Sequence, residues 1–215
     1  SGGGIFSAWG TLYINNSTLY KNFANGGGGI NNLGGTVSLN STTISGNEVG
    51  TMSGGGIRNE GGSVTLQNTI IAGNSGDYGP DCNGGFTSHG YNLIGDNSEC
   101  TISTSSGVLV NAYSGLYPSL MGSPAYYPLL QNSLAIDGGN PTGCTNHEAS
   151  ILTNDQRGSP RPMDGDGDGS PRCDIGAYEY DPSNPDTYQV SLPCVFNNHC
   201  PDFFDDFSNP SSGWV

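Results

Sequence analysis

The sequence has very little positive charge and no long apolar run. Lys and Arg together number 5 against 19 Asp and Glu, which gives a formal net charge of -14 at pH 7. A protein with this charge repels nucleic acid and anionic lipid, and no stretch of 18 apolar residues is present to cross a bilayer. We therefore expect neither a nucleic-acid partner nor membrane insertion, and we expect cations as natural ligands.

The composition also excludes a helix bundle. Glycine accounts for 36 of the 215 residues, and only 33% of the residues are hydrophobic. So much glycine means that the backbone must often turn at positive φ or approach another segment closely. Short strands joined by tight turns are the expected structure.

The six cysteines include no C-x-x-C pair, so the usual spacing of metal thiolates is missing. An even set of this kind indicates disulfides and therefore an extracellular or cell-surface location. Among the fifteen connectivities open to six cysteines we favour the pairing of neighbours, because each bridge then closes one local loop. The predicted bridges are Cys82–Cys100, Cys144–Cys173 and Cys194–Cys200.

An internal repeat fills the first third of the chain. The motif Gly-Gly-Gly-Ile recurs with Ile5, Ile30 and Ile57 spaced 25 and 27 residues apart. Apolar residues alternate with period two inside each unit, which indicates strands, and glycine corners at fixed phase suit the coils of a solenoid. The sequence thus predicts an all-β, right-handed parallel β-helix in which equal residues form columns. One such column is an asparagine ladder from coil to coil, made of Asn22, Asn47 and Asn74.

The predicted organisation has a β-helix over 1–180 and a tail over 181–215. Regular coils are expected at 2–76, and irregular coils and loops at 77–180. The tail begins as a linker rich in Pro and Asp, and its end resembles the opening of a lectin-like β-sandwich. It is too short to complete a sandwich, so its aromatic residues need another surface, and we expect them to mediate self-association. These residues are Phe203, Phe204, Phe207 and Trp214.

The acidic residues are concentrated after residue 76, where 17 of the 19 occur. Among them Asp164, Asp166 and Asp168 alternate with glycine, a spacing that can direct carboxylate oxygens at one Ca²⁺ as at the start of an EF-hand loop. The twelfth position is Ile175, so the usual glutamate is missing, and Asp174 or a backbone carbonyl would have to complete the site. No other cofactor is expected.

A solvated acidic turn is the alternative interpretation of this loop. In that case Arg161 or Arg172 would serve as the counter-ion. The three histidines lie far apart and lack the i, i+4 spacing of a helical zinc site, so the sequence does not predict zinc.

The sequence predicts no catalytic residues, although polysaccharide lyases and hydrolases share the β-helix architecture. A lyase needs a base for the proton α to a uronate, and a hydrolase needs paired carboxylates. The repeats carry one Lys and one Arg, and their only acids are Glu48 and Glu60. A carbohydrate-binding or polysaccharide-degrading β-helix is therefore the alternative function.

Two sets of motifs resemble known bacterial surface proteins. Gly-Gly-Gly-Ile followed by Leu-Tyr-Lys-Asn, Ile-Ser-Gly-Asn and Ile-Ala-Gly-Asn, at residues 19–22, 44–47 and 71–74, resembles the paired repeats of the polymorphic outer-membrane-protein type. The second set resembles the C-terminal part of β-helix proteins of the choice-of-anchor Q type. It comprises Ser-Leu-Ala-Ile-Asp-Gly-Gly at 133–139, Asp-Gln-Arg-Gly at 155–158, Arg-Pro at 161–162 and Cys-Asp-Ile-Gly-Ala-Tyr-Glu at 173–179.

These resemblances imply a secreted or cell-surface β-helix with no catalytic activity attached to either family. We accordingly expect a structural or adhesive module, with filament formation as one form of assembly. Its expected partners are other copies of itself, joined head to tail, or surface glycans.

Overall fold

The structure is a computed structural model that describes residues 2–103 and 105–183. In this part of the chain there are fifteen strands, and no helix is long and apolar enough to cross a membrane. The strands are β1 (Ile5–Ala8), β2 (Thr11–Asn15), β3 (Thr18–Tyr20), β4 (Phe23–Ala24), β5 (Ile30–Leu33), β6 (Thr36–Asn40), β7 (Thr43–Ser45), β8 (Glu48–Val49), β9 (Ile57–Asn59), β10 (Ser63–Gln67), β11 (Ile70–Ile71), β12 (Cys82–Ser88), β13 (Leu93–Ile94), β14 (Cys100–Ile102) and β15 (Leu109–Val110).

The strands stack in parallel into a β-solenoid of about four turns. One sheet has the order β1-β5-β9-β12-β10-β6-β2, with β14 also paired to β12, and a second has the order β15-β13-β11-β7-β3. A third sheet consists of β4 and β8. The prediction of an all-β parallel solenoid is therefore confirmed.

The predicted columns of aliphatic residues form the core of the solenoid. Ile5 pairs in register with Ile30, which pairs with Ile57, and Cys82 continues this column in the fourth coil. A second column runs along the five-stranded sheet from Leu19 through Ile44, Ile71 and Ile94 to Val110. Because members of a column lie one strand spacing apart, each coil buries the apolar side chains of the next.

Glycine in the Gly-Gly-Gly-Ile motif is required by the close stacking of the coils. A Cβ atom added to Gly28 would lie 2.4 Å from the carbonyl oxygens of both Gly55 and Glu48. Real Cβ atoms do not approach backbone oxygen so closely, so a larger residue would push two coils apart.

The asparagine ladder is present and has an acidic end that the sequence did not predict. Asn22 Nδ2 donates to Asn47 Oδ1 at 2.8 Å, and Asn47 Nδ2 donates to Asn74 Oδ1 at 2.9 Å. The next acceptor is Oδ1 of Asp81, 2.9 Å from Asn74 Nδ2, while Oδ2 of Asp81 accepts the N–H of Asp96. Burial raises the pKa of Asp81, and the hydrogen bonds from Asn74 oppose that shift. The ladder therefore satisfies buried polar groups along one corner of all four coils.

The fourth coil departs from the repeat. Strand β12 pairs with β9 through Cys82 and Asn83 and with β10 through Thr87 and Ser88, so one strand replaces two strands and the corner between them. Strand β14 pairs with the middle of β12, and a disulfide joins Cys82 to Cys100 with their Cα atoms 5.6 Å apart. The bridge thus fastens an inserted strand where the repeat lapses.

The predicted irregular part over 77–180 divides at Val110, the last residue in a strand among those described. Residues 111–183, here called the covering segment, form loops that lie on the outer face of the five-stranded sheet. Ile70 and Leu93 point outward from this sheet and pack with Leu129 and Ile175, and all four side chains are buried. The five-stranded sheet is consequently buried on both faces, which explains the aliphatic pairs in its strands.

The covering segment extends back to the first coil. The His147 ring stacks on Tyr13 with a centroid distance of 3.9 Å. Asn16 Nδ2 donates to the carbonyl oxygen of Asn154 at 3.1 Å. These contacts tie the covering segment to the first coil, so it spans the stack of coils.

The ladder generates a test of coil stacking. Asn47 is fully buried, and its amide also donates to the carbonyl oxygens of Leu19 and Ser45. We expect Asn47→Ala to lower the free energy of unfolding by about 3 kcal/mol, because several buried partners lose their hydrogen bonds. The matched control is Asn25→Ala at an exposed corner, for which chemical denaturation should show a change within about 0.5 kcal/mol. Equal stability of the two variants would contradict the structural role of the ladder.

Candidate functional site

The covering segment contains a group of buried ionisable side chains whose hydrogen bonds go to the backbone. Oδ1 of Asp155 accepts the N–H groups of Arg157 and Ser159, and Oδ2 accepts the N–H of Glu179 and Nε–H of Arg157 at 2.8 Å. The Arg157 guanidinium lies over the Tyr178 ring at 3.9 Å from its centroid. Asp155 thereby fixes a turn and holds it against the last part of the described chain.

Glu179 is 1% exposed and forms the centre of a second set of bonds. Its Oε1 accepts the N–H of Met163 and its Oε2 accepts the N–H of Asp174. Nε of Arg161 lies 2.8 Å from Oε2 of Glu179, and Nη2 of Arg161 donates to the carbonyl oxygen of Gly176. A buried ion pair of this kind is retained only with additional hydrogen bonds, and here the backbone supplies them.

Asp174 is also 1% exposed, and both of its oxygens are occupied. Oδ1 accepts the N–H of Asp137, and Oδ2 accepts the N–H of Tyr180 at 2.6 Å. Burial raises the pKa of Asp174 well above its usual value, and the neighbouring Glu179 raises it further. Burial likewise raises the pKa of Glu179 to about 7, although Arg161 opposes the shift. Glu179 is therefore sensitive to pH near neutrality.

Only two of the four predicted calcium ligands, Asp164 and Asp166, lie close together in the loop of alternating Asp and Gly at 164–169. Asp164 and Asp166 share a group with Asp137 in which the facing carboxylate oxygens all lie within 4.8 Å of one another. Asp137 Oδ2 accepts the N–H groups of Gly165 and Asp166, so it also shapes the loop. Asp137 was not among the residues expected from the sequence, because it precedes the loop by 27 residues.

Two of the expected ligands, Asp168 and Asp174, do not belong to the acidic group found among the described residues, and calcium binding itself stays a prediction. Asp174 is directed into the buried network by the N–H groups of Asp137 and Tyr180, and Asp168 Oδ1 accepts the N–H of Ser170. The sequence spacing of an EF-hand loop did not indicate this, because the backbone competes for the same oxygens.

The structure contains two of the three expected disulfides. Cys82–Cys100 and Cys144–Cys173 are both formed, the latter with a Cα–Cα distance of 6.0 Å. Cys194 and Cys200 lie outside the described residues, as do the predicted self-association residues. Those residues are Phe203, Phe204, Phe207 and Trp214.

A shallow groove of about 610 Å³ lies on the surface of the solenoid. Its lining includes Glu60, Thr87 and Thr101, and Glu60 is the one carboxylate among the lining residues. Glu60 forms an ion pair with Arg58 at 2.7 Å. Glu48 belongs to the separate two-stranded sheet and does not line this groove.

The fold and these sites define the chain as a parallel β-solenoid with a covering segment. Comparison with protein-family models, curated proteins and solved structures finds no match.

Sequence reasoning missed the buried network as a structural unit. The sequence does contain one indication of this network, because Asp174 and Glu179 occur in a stretch that otherwise consists of Gly, Ala, Ile and Tyr. Acids in such surroundings must be paired or bonded once the stretch is buried.

The raised pKa of Glu179 generates a prediction about stability. Its unfolded pKa is near 4.5 and its folded pKa about 7, so the stability it contributes is present below pH 4.5 and is lost as pH rises through 7. The charged groups facing it are Arg161, Asp174 and Asp137. We expect the free energy of unfolding to fall by about 2–3 kcal/mol between about pH 5 and about pH 8.

Denaturant titrations of the Glu179→Gln variant should show a smaller dependence on pH, because the neutral amide that replaces the carboxyl group does not titrate. Glu148→Gln is the control, since this side chain is 69% exposed and should leave the pH profile unchanged. A Glu179→Gln profile as steep as that of the unmodified chain would show that another group is responsible.

The acidic loop generates a prediction about calcium. Asp164 accepts the N–H groups of Gly167 and Gly169, which an asparagine could also do in part, but Ca²⁺ requires the negative charge. We expect the melting temperature to be higher in millimolar Ca²⁺ than in EDTA, and we expect Asp164→Asn to remove the difference. Asp77→Asn, outside the loop, should retain it. Identical melting in Ca²⁺ and EDTA would leave the loop as an acidic turn.

Proposed function

We propose that the chain is a non-catalytic structural or adhesive module of the extracellular space or the cell surface. The observation that carries the proposal is the use of its buried acids. Asp81, Asp155, Asp174 and Glu179 each accept backbone N–H groups, so they hold the chain in place. Enzyme sites instead aim such groups at a cleft that admits substrate.

The extracellular assignment is supported by the two disulfides. Cys144 and Cys173 are buried within the covering segment, and such bridges persist in oxidising compartments. A cation at the acidic loop is part of the same proposal, because extracellular modules use millimolar Ca²⁺ to stiffen loops that lack regular structure.

We further propose that the resemblance to choice-of-anchor Q proteins reflects a shared covering segment. The motif residues Asp155, Arg157, Arg161 and Glu179 belong to one continuous set of bonds that fastens this segment. Motifs of this kind would be retained because they stabilise the fold, which is consistent with a family defined without a catalytic activity.

A polysaccharide-degrading β-helix remains the alternative. It is favoured by the shallow groove beside Glu60, which is open to an extended ligand. Hydrolysis requires a second carboxylate, and the groove lining offers none besides Glu60. Release of reducing ends or unsaturated products from a panel of polysaccharides would overturn the non-catalytic proposal.

Self-association is also part of the proposal, as the prediction that the sequence makes for the aromatic tail. The part assigned to Phe203, Phe204, Phe207 and Trp214 lies outside the described residues and stays a prediction.

Electron microscopy of the intact chain tests the assembly. We expect filaments, because a head-to-tail contact between unlike ends does not close on itself. A chain ending at Tyr180 should remain monomeric if the aromatic tail mediates the contact. Monodisperse monomers of the intact chain at high concentration would contradict self-association, and filaments of the shortened chain would place the contact on the coils.

A further inference from the structure

The outer surface of the first coil differs from that of the coils stacked beneath it. Phe6 and Tyr13 point outward from β1 and β2 and are 48% and 52% exposed, and Trp9, at the corner between these strands, is 82% exposed. The strand register places Asn31 and Arg58 in line with Phe6, and Ser38 and Thr65 in line with Tyr13. The aromatic residues are therefore specific to one coil.

Trp9 occupies a position that the fold gives to glycine. Its φ is 60°, in the left-handed region, and the register places Gly34, with a φ of 78°, at the same position in the second coil and Gly61 in the third. A bulky residue in this conformation is strained by an amount on the order of 1–2 kcal/mol. The strain is not compensated by burial of the indole, and a strained, exposed residue points to a function outside the molecule.

Neighbouring residues hold the rings in place. A Cβ atom at Gly34 would lie 2.8 Å from the indole of Trp9, so glycine makes room for the ring to rest on the second coil. Tyr13 has one face covered by the stacked His147 ring. We call Phe6, Trp9 and Tyr13 the aromatic ridge.

The aromatic ridge lies in the least charged part of the protein. Residues 2–47 include a single charged side chain, Lys21, which lies between β3 and β4 rather than between β1 and β2. Exposed neighbours on the same wall, such as Thr11 and Thr36, offer hydroxyl groups. The surface therefore combines apolar rings with neutral hydrogen-bonding groups, in a protein whose net charge is -14.

We propose that the aromatic ridge binds neutral polysaccharide, the apolar faces of its sugar rings stacking on Trp9 and Phe6. This proposal rests on the adhesive function proposed above and names its ligand. Flat aromatic side chains bury the C–H faces of sugar rings at little conformational cost, and hydroxyl neighbours satisfy the sugar hydroxyls.

The exposed area and the lack of charge of the aromatic ridge favour this ligand over a protein or a nucleic acid. Three rings exposed by half to four-fifths present on the order of 400 Å² of apolar surface, whereas a stable protein interface needs about 800 Å² per partner. Nucleic acid, which also stacks on aromatic rings, requires basic side chains that the ridge lacks. Neutral glycan needs neither a large interface nor a charge.

The test is depletion of the protein from solution by insoluble cellulose and chitin, with the anionic polymer alginate for comparison. We expect the intact chain to bind a neutral polymer equally at low and high salt. Trp9→Gly and Phe6→Asn, which introduce the residues found at these positions in the second coil, should each weaken binding about tenfold or more. The melting temperature of Trp9→Gly should be unchanged or higher, because glycine relieves the left-handed backbone.

Tyr113→Ala is the matched control, because Tyr113 is 63% exposed and lies in the covering segment. It should bind like the unmodified chain. The proposal is overturned if the intact chain binds neither neutral polymer, if both ridge variants bind as tightly as it does, or if Tyr113→Ala loses binding equally. It is also overturned if the ridge variants abolish self-association without affecting glycan binding. If the intact chain forms filaments but binds no glycan, glycan binding by the aromatic ridge is rejected, while the proposed structural function is retained.

Discussion

The structure depends on the requirement that every buried backbone N–H and C=O group has a partner. The coils meet it by stacking, since each strand bonds to the strand of the next coil. The covering segment has no strands among the described residues, and it meets the same requirement with turns, isolated bridges and buried carboxyl groups. Asp155, Asp174 and Glu179 each accept two or more backbone N–H groups where a sheet would otherwise supply carbonyl oxygens.

This division accounts for the uneven distribution of charge. The coils need almost no ionisable residues, and the first 47 positions hold no acid at all. The covering segment buries acids and must balance them with Arg157 and Arg161. Burial of charge leaves the pKa values of Asp174 and Glu179 raised, so the stability of these loops depends on pH. The five-stranded sheet is thus stabilised on one face by the apolar core of the coils and on the other by the covering segment with its buried carboxyl groups.

Surface properties follow from the same organisation. Because the repeat supplies stability through inward columns and the ladder, its outward positions are free to vary from coil to coil. In the first coil these positions hold Phe6, Trp9 and Tyr13, whereas the next two coils hold polar residues or glycine. A solenoid can in this way present a distinct surface on a single coil without altering its core.

The sequence by itself determined the solenoid, because period-two alternation and a repeat near 25 residues leave few ways to bury Ile5, Ile30 and Ile57. It also determined the asparagine ladder and the neighbour pairing of four cysteines, which follow from local spacing. Only the tertiary structure decided that Asp81 ends the ladder, that Asp137 joins Asp164 and Asp166, and that Asp174 turns away from them. The contacts of Asp137 and Asp174 join residues far apart in the chain, and their geometry is set by the folding of the covering segment, which no local pattern encodes. Asp81 lies only seven residues from Asn74, but at a point where the fourth coil departs from the repeat.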